Sequence, residues 1–188
     1  MTLRRDATRR SPPCRARAGG GAGCLVFYPF FYCIGVWSLV AAPADADLSA
    51  AAALPIALTF AAGWVLTRGA NLQKFAFKRS GGARASWLGL PMTPVPGTRL
   101  LCGGFWGLSR HVNYLGEILQ AVALALPGSL VATSGYYRAL PWLYPLYYVA
   151  LFVPRQADDD DQIRRKYGDA VFAAYAARVP WRIVPGVY

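Results

Sequence analysis

Four apolar runs occupy so much of this chain that they dictate what it can become. Residues 24–42 carry no charge in 19 positions, and residues 48–67 none in 20. Residues 114–131 carry Glu117 alone, and residues 139–154 carry no charge in 16 positions. A helix needs about 20 apolar residues to cross a bilayer, with a range of roughly 17–25. The first three runs meet that length. The fourth is slightly short but rich in Trp and Tyr, rings that sit well at the membrane interface. With 55% hydrophobic and 15% charged residues in 188, burying four such helices would leave a soluble protein little surface to solvate. The expected fold is all-α, a polytopic membrane bundle of about four spanning helices with a cytosolic loop and tail.

The net charge of +11 would point to nucleic acid in a soluble protein, but its distribution points to a membrane face. Of the 20 Lys and Arg, 19 fall on one side of the four-span arrangement. The positive-inside rule makes that side cytosolic, and no nucleic-acid partner is expected. The chain divides into a basic, low-complexity N-terminal arm (residues 1–23) and a membrane domain (residues 24–188). The arm reads as a disordered cytosolic segment or an organelle transit sequence. Cys14, Cys24, Cys33 and Cys102 have neither metal-ligand nor disulfide-framework spacing. Those in or beside the first span are expected to pack as small apolar groups. With one histidine in the chain, no metal site is expected.

The chemistry-capable residues gather in two segments, 68–114 and 155–188, which the topology brings to one membrane face. The first begins as a helical continuation with Asn71, Lys74 and Lys78 on one side. Residues 81–97 read as loop, and residues 100–106 as a short apolar piece at the membrane surface. In the second, the run Asp158–Asp161 is expected to open a helix, where acids suit the macrodipole. Residues 179–188, bracketed by prolines, are expected to be extended. Dinucleotide Gly-x-Gly-x-x-Gly and phosphate-loop motifs are absent. What remains is basic and aromatic. Lys74, Lys78, Arg155, Arg164, Arg165 and Lys166 can neutralise phosphates, while Trp106, Tyr114, Tyr167 and Tyr175 can stack on rings or hydrogen-bond to them. Spacing alone leaves two occupants open: an anionic cofactor with stackable rings, or anionic lipid headgroups beside aromatic interface anchors.

Four segments carry a resemblance: residues 68–78 (Arg-Gly-Ala-Asn-Leu-Gln-Lys-Phe-Ala-Phe-Lys), residues 104–117 (Gly-Phe-Trp-Gly-Leu-Ser-Arg-His-Val-Asn-Tyr-Leu-Gly-Glu), residues 165–168 (Arg-Lys-Tyr-Gly) and residues 178–185 (Arg-Val-Pro-Trp-Arg-Ile-Val-Pro). Together they resemble the C-terminal half of the endoplasmic reticulum membrane sterol reductases. That family includes the Δ14-sterol reductases, the 7-dehydrocholesterol reductases and the reductase domain of the lamin B receptor. The resemblance implies an NADPH site facing the cytosol, a sterol substrate drawn from the bilayer, and addition of H⁺ and H⁻ across a ring double bond. It leans toward the Δ14 branch, with Δ7 reduction, or a non-catalytic membrane scaffold of the same fold, as alternatives. An isoprenylcysteine-type methyltransferase shares only an Arg-His-x-x-Tyr flavour.

Carried onto matching positions, the resemblance assigns Lys74 and Lys78 to cofactor phosphates, and Leu101 and Trp106 to packing against the cofactor. Asn113 and Tyr114 would hydrogen-bond it, with Arg110 and His111 fixing the turn. Arg155, Asp159, Lys166, Tyr167 and Tyr175 would complete the pocket, beside Arg164 and Arg165. Asp159 and Tyr167 are the candidate proton donors. Three departures bear on this. Asp158 stands where the family has Arg, a charge reversal expected near the pyrophosphate, and Ile163 stands where it has Cys. One extra residue between Tyr167 and Tyr175 would rotate Tyr175 by roughly 100° on a continuous helix.

Overall fold

The computed structural model describes residues 29–188; the N-terminal arm and the start of the first apolar run lie outside them. The chain is mostly helical. Helix α1 (Pro29–Ala41) ends in a 3-10 turn, Ser38–Ala41. Helix α2 (Ala50–Arg79) has 30 residues and so extends about 45 Å. It starts where the Ser49 hydroxyl accepts the Ala52 N–H, satisfying one of the donors every helix start leaves free. Alanine and leucine dominate its first half, and both favour helix strongly. A 3-10 turn, Gly104–Gly107, leads into helix α3 (Val112–Val131). A short helix α4 (Gly135–Ala139) precedes helix α5 (Leu143–Tyr167), and helix α6 (Asp169–Arg178) precedes the terminal segment.

Helices α2 and α3 are long and apolar enough to cross a membrane. Leu54, Leu58, Trp64 and Val65 on α2 are exposed, as suits a helix facing lipid. The other two apolar runs are also helical. However, the described part of the first gives only the short α1, and the fourth is divided among α4, a 3-10 turn and α5. Four spans therefore remain an expectation.

Small residues bring α2 and α3 into backbone contact. A Cβ on Gly63 would lie 2.7 Å from the Gly116 carbonyl oxygen, and one on Gly116 would lie 2.6 Å from that of Gly63. Packing through small residues is how membrane helices gain van der Waals contact without a hydrophobic driving force. Thr67 adds a polar tie, its hydroxyl donating to the Asn113 carbonyl at 3.2 Å. This contact fixes the end of α2 that bears Lys74 and Lys78 against the start of α3.

Several local expectations need correction. The loop at 81–97 contains a small hairpin, β1 (Ser86–Trp87) paired antiparallel with β2 (Leu90–Pro91). Leu88 and Gly89 turn it, both at positive φ (48° and 77°), the turn that matches strand twist. The Asp158–Asp161 run does not open a helix. It lies in the second half of α5, because Pro154 is accommodated inside that helix and the apolar run and tail merge into one element. The terminal residues are not extended: the backbone N–H groups of Arg182, Ile183 and Val184 all point to the Tyr188 carboxy-terminal oxygen at 2.9–3.0 Å, so the segment turns back on itself. Cys33 is exposed on α1 rather than packed.

Candidate functional site

One cavity of about 570 Å³ opens between the two segments. Lys74 and Lys78 enter it from α2, one helical turn apart. Leu101 and Trp106 come from the stretch between β2 and α3, and Asn113 and Tyr114 from the first turn of α3. Asp159, Lys166 and Tyr167 project from α5, and Tyr175 from α6. The Lys74 ammonium sits 4.5 Å above the Trp106 ring. That ring is held in turn by its indole N–H, which donates to the Ala70 carbonyl at 2.9 Å. A cation over a fixed aromatic face is an arrangement each stabilises.

A buried ion-pair cluster forms the floor. The Arg110 guanidinium donates to Asp160 at 3.1 Å and to the carbonyls of Val179 and Pro180 at 2.9 and 3.0 Å. His111 Nε2 lies 3.2 Å from the other Asp160 oxygen. The backbone N–H groups of Arg110 and His111 bond the carbonyls of Trp181 and Arg182. Loop, α5 and tail are thus tied at one point. Burial alone would raise the Asp160 carboxyl, but the His111 hydrogen bond and the Arg110 charge together hold it below the ordinary carboxylate range. Tyr175, 3% exposed, is shifted upward mainly by burial, so its hydroxyl stays protonated at neutral pH.

Above the floor, the Tyr114 hydroxyl donates to Asp159 at 2.5 Å. The Tyr114 ring stacks between His111, at 5.3 Å, and Phe152, at 4.4 Å between centroids.

The sequence-derived residues divide clearly. Lys74, Lys78, Leu101, Trp106, Arg110, His111, Asn113, Tyr114, Asp159, Lys166, Tyr167 and Tyr175 all line the cavity. Arg155, Arg164 and Arg165 do not. Arg155 lies 3.6 Å from the Asp159 carboxylate, and Arg164 lies 4.3 Å over the Phe172 ring. Asp158 is exposed and outside the cavity lining. Gly168, at φ 88°, separates α5 from α6, so Tyr167 and Tyr175 do not share one continuous helix. Ile163 does line the cavity.

Sequence reasoning missed Arg99, Gln162 and, above all, Asp160. It also missed Gln73, fully buried, whose amide donates to the Pro91 carbonyl and accepts the Phe105 N–H, both at 3.1 Å. The available signal for Gln73 was its position on the same helix one residue before Lys74. A cavity lined by five Lys and Arg side chains and several aromatic rings suits a polyanionic ligand with ring systems, and the donor set fits a nicotinamide dinucleotide.

Known proteins resemble this chain over most of its length. A Delta(14)-sterol reductase of Mus musculus, TM7SF2, is 40% identical over 167 residues, covering 88% of this chain and 38% of that protein. A Delta(14)-sterol reductase of Arabidopsis thaliana is 35% identical over 173 residues, covering 88% of this chain and 42% of its own length. A 7-dehydrocholesterol reductase of Xenopus laevis is 31% identical, with 89% and 36% covered. The chain thus spans about two fifths of the curated relatives it matches. The family model for ergosterol biosynthesis, ERG4/ERG24, matches residues 22–188, and with that match over nearly its whole length the chain belongs to the ERG4/ERG24 family.

Proposed function

We propose that this chain forms the NADPH-binding part of a membrane sterol reductase that saturates a ring double bond, with the Δ14 bond preferred. The observation that supports this reading is a cavity in which cations from α2 and α5 face rings from the 3-10 turn, α3 and α6. Lys74, Lys78 and Lys166 would hold phosphates, Leu101, Trp106 and Tyr167 would pack against rings, and Asn113 and Tyr175 would donate or accept hydrogen bonds. When bound, NADPH supplies the hydride for one alkene carbon.

The protein's own part is the proton for the other carbon. Asp159 and Tyr114 share a short hydrogen bond at the cavity wall. Tyr114 would give its hydroxyl hydrogen to that carbon and recover a proton from water by way of the Asp159 carboxylate it bonds. His111 and Asp160 brace that pair from below, with His111 Nδ1 at 4.0 Å from Asp159. Tyr167 lines both this cavity and a neighbouring one, and stands as the second donor candidate. The cofactor side faces the cytosol of an endoplasmic reticulum membrane, following the basic residues, and the sterol enters from lipid.

Titration of the purified chain in neutral detergent with NADPH, followed by nicotinamide fluorescence, tests the cofactor reading. Saturable binding is expected, and Asn113→Asp should weaken it by about 1–3 kcal/mol, the cost of a buried group losing its partner. Absence of saturable binding in the parent chain refutes the reading. Sterol profiles after expression in a host lacking its own Δ14 reductase then separate Δ14 from Δ7 reduction, which the Xenopus laevis relative keeps in play. Unchanged sterols despite intact NADPH binding would favour the scaffold.

A further inference from the structure

A second cavity, about 540 Å³, adjoins the first, and Arg99, Lys166 and Tyr167 line both. Its remaining wall includes Gly81, Gly82 and Gly97, all at positive φ. An added Cβ at Gly81 or Gly97 would meet nothing within 4 Å, so this wall is largely bare backbone with room for a flat ring. Arg99 is presented by a braced turn rather than a loose loop. The Val95 N–H bonds the Leu100 carbonyl at 2.8 Å and Thr98 N–H bonds Val95 at 3.0 Å. The Thr98 hydroxyl closes the turn, donating to Val95 at 2.8 Å and accepting from the Leu100 N–H at 3.1 Å. Val95 and Leu101, 4% and 6% exposed, anchor it on either side.

We propose that the second cavity receives the adenosine end of the dinucleotide and that Arg99, with Lys166, reads its 2′-phosphate. This rests on the cofactor reading above. Lys74 and Lys78 lie only in the first cavity, suited to the pyrophosphate. Among the residues lining the second, the charged side chains are Arg99 and Lys166 alone. A guanidinium can grip a phosphate with two parallel N–H groups. An arginine beside the ribose is the general device by which dinucleotide sites accept the extra phosphate. Arg99 is therefore a specificity-determining residue for NADPH against NADH.

The test is a pair of titrations, NADPH and NADH, on the parent chain, Arg99→Gln and Arg99→Lys, in neutral detergent so that no lipid phosphate competes. Arg99→Gln should raise the NADPH Kd roughly 10-fold or more, the usual loss for a charge-assisted hydrogen bond, while leaving the NADH Kd unchanged. 2′,5′-ADP should lose potency as a competitor in parallel, and Arg99→Lys should recover part of the preference. Equal weakening toward both dinucleotides, or no change toward either, overturns the assignment while leaving the cofactor reading intact. A parent chain that binds neither dinucleotide overturns both.

Discussion

Replacing Asp160 with Ala should be among the most damaging single changes in this protein. Among the described residues, the carboxylate is the one ion-pair partner of the Arg110 guanidinium, whose side chain is 6% exposed. The same carboxylate also faces His111. Removing one member of a buried ion pair costs about 3–5 kcal/mol, because the survivor is left charged without compensation. Arg110 would keep its bonds to the Val179 and Pro180 carbonyls, which places the cost near the lower bound, about 3 kcal/mol. For a chain of this size each kcal/mol moves the melting midpoint by about 2–4 °C, so Asp160→Ala should lose about 6–12 °C. Thermal unfolding in detergent, followed by tryptophan fluorescence, reads this directly. The double variant Asp160→Leu with Arg110→Met should recover much of the loss, since an apolar pair of similar volume removes the stranded charge. A shift below about 2 °C for Asp160→Ala, or no recovery in the double variant, would show that this cluster does not hold the tail and α5 together.

Two further expectations follow from packing and titration. Gly116→Ala should cost about 1–3 kcal/mol as an overpacked contact, because the new Cβ would meet the Gly63 carbonyl at 2.6 Å; an unchanged melting midpoint would argue that α2 and α3 do not touch there. Asp160, with its folded pKa depressed by His111 and Arg110 despite burial, binds its proton less readily folded than unfolded. Its contribution is thus complete above the unfolded value of about 4 and lost as pH falls through the folded one. The parent chain should destabilise on acidification below about pH 4 more steeply than Asp160→Asn, and parallel curves would exclude Asp160 as the source.

Much of the site was legible because its residues repeat at helical spacing or sit in a short motif. Lys74 and Lys78 share one side of a helix because they are four residues apart, and Trp106 through Tyr114 are neighbours in the chain. The failures share a cause: they depend on where one helix ends and the next begins. Pro154 reads as a stop, yet α5 runs through it, so the acidic run lands mid-helix and not at a start. Tyr167 to Tyr175 reads as one continuous helix, yet Gly168 ends α5 and α6 starts anew after it. Arg99 was passed over because nothing around it in the sequence is periodic. Only the turn closed by Val95, Thr98 and Leu100 aims it at Lys166, 67 positions away.

The four consecutive aspartates show how α5 separates duties that a sequence pattern merges. Adjacent residues on a helix point about 100° apart, so the run cannot act as one acidic patch. Asp158 and Asp161 are exposed. Asp159 turns to the cavity and accepts from Tyr114, and Asp160 turns inward to Arg110 and His111. An arginine exchanged for aspartate at 158 therefore alters the outer face of α5, while the cavity keeps Lys74, Lys78, Arg99 and Lys166 against the single carboxylate of Asp159. Arg110 adds nothing to that balance, since Asp160 already neutralises it. The cavity field thus stays positive, and the residue whose replacement would weaken it in both cavities is Lys166, and not position 158.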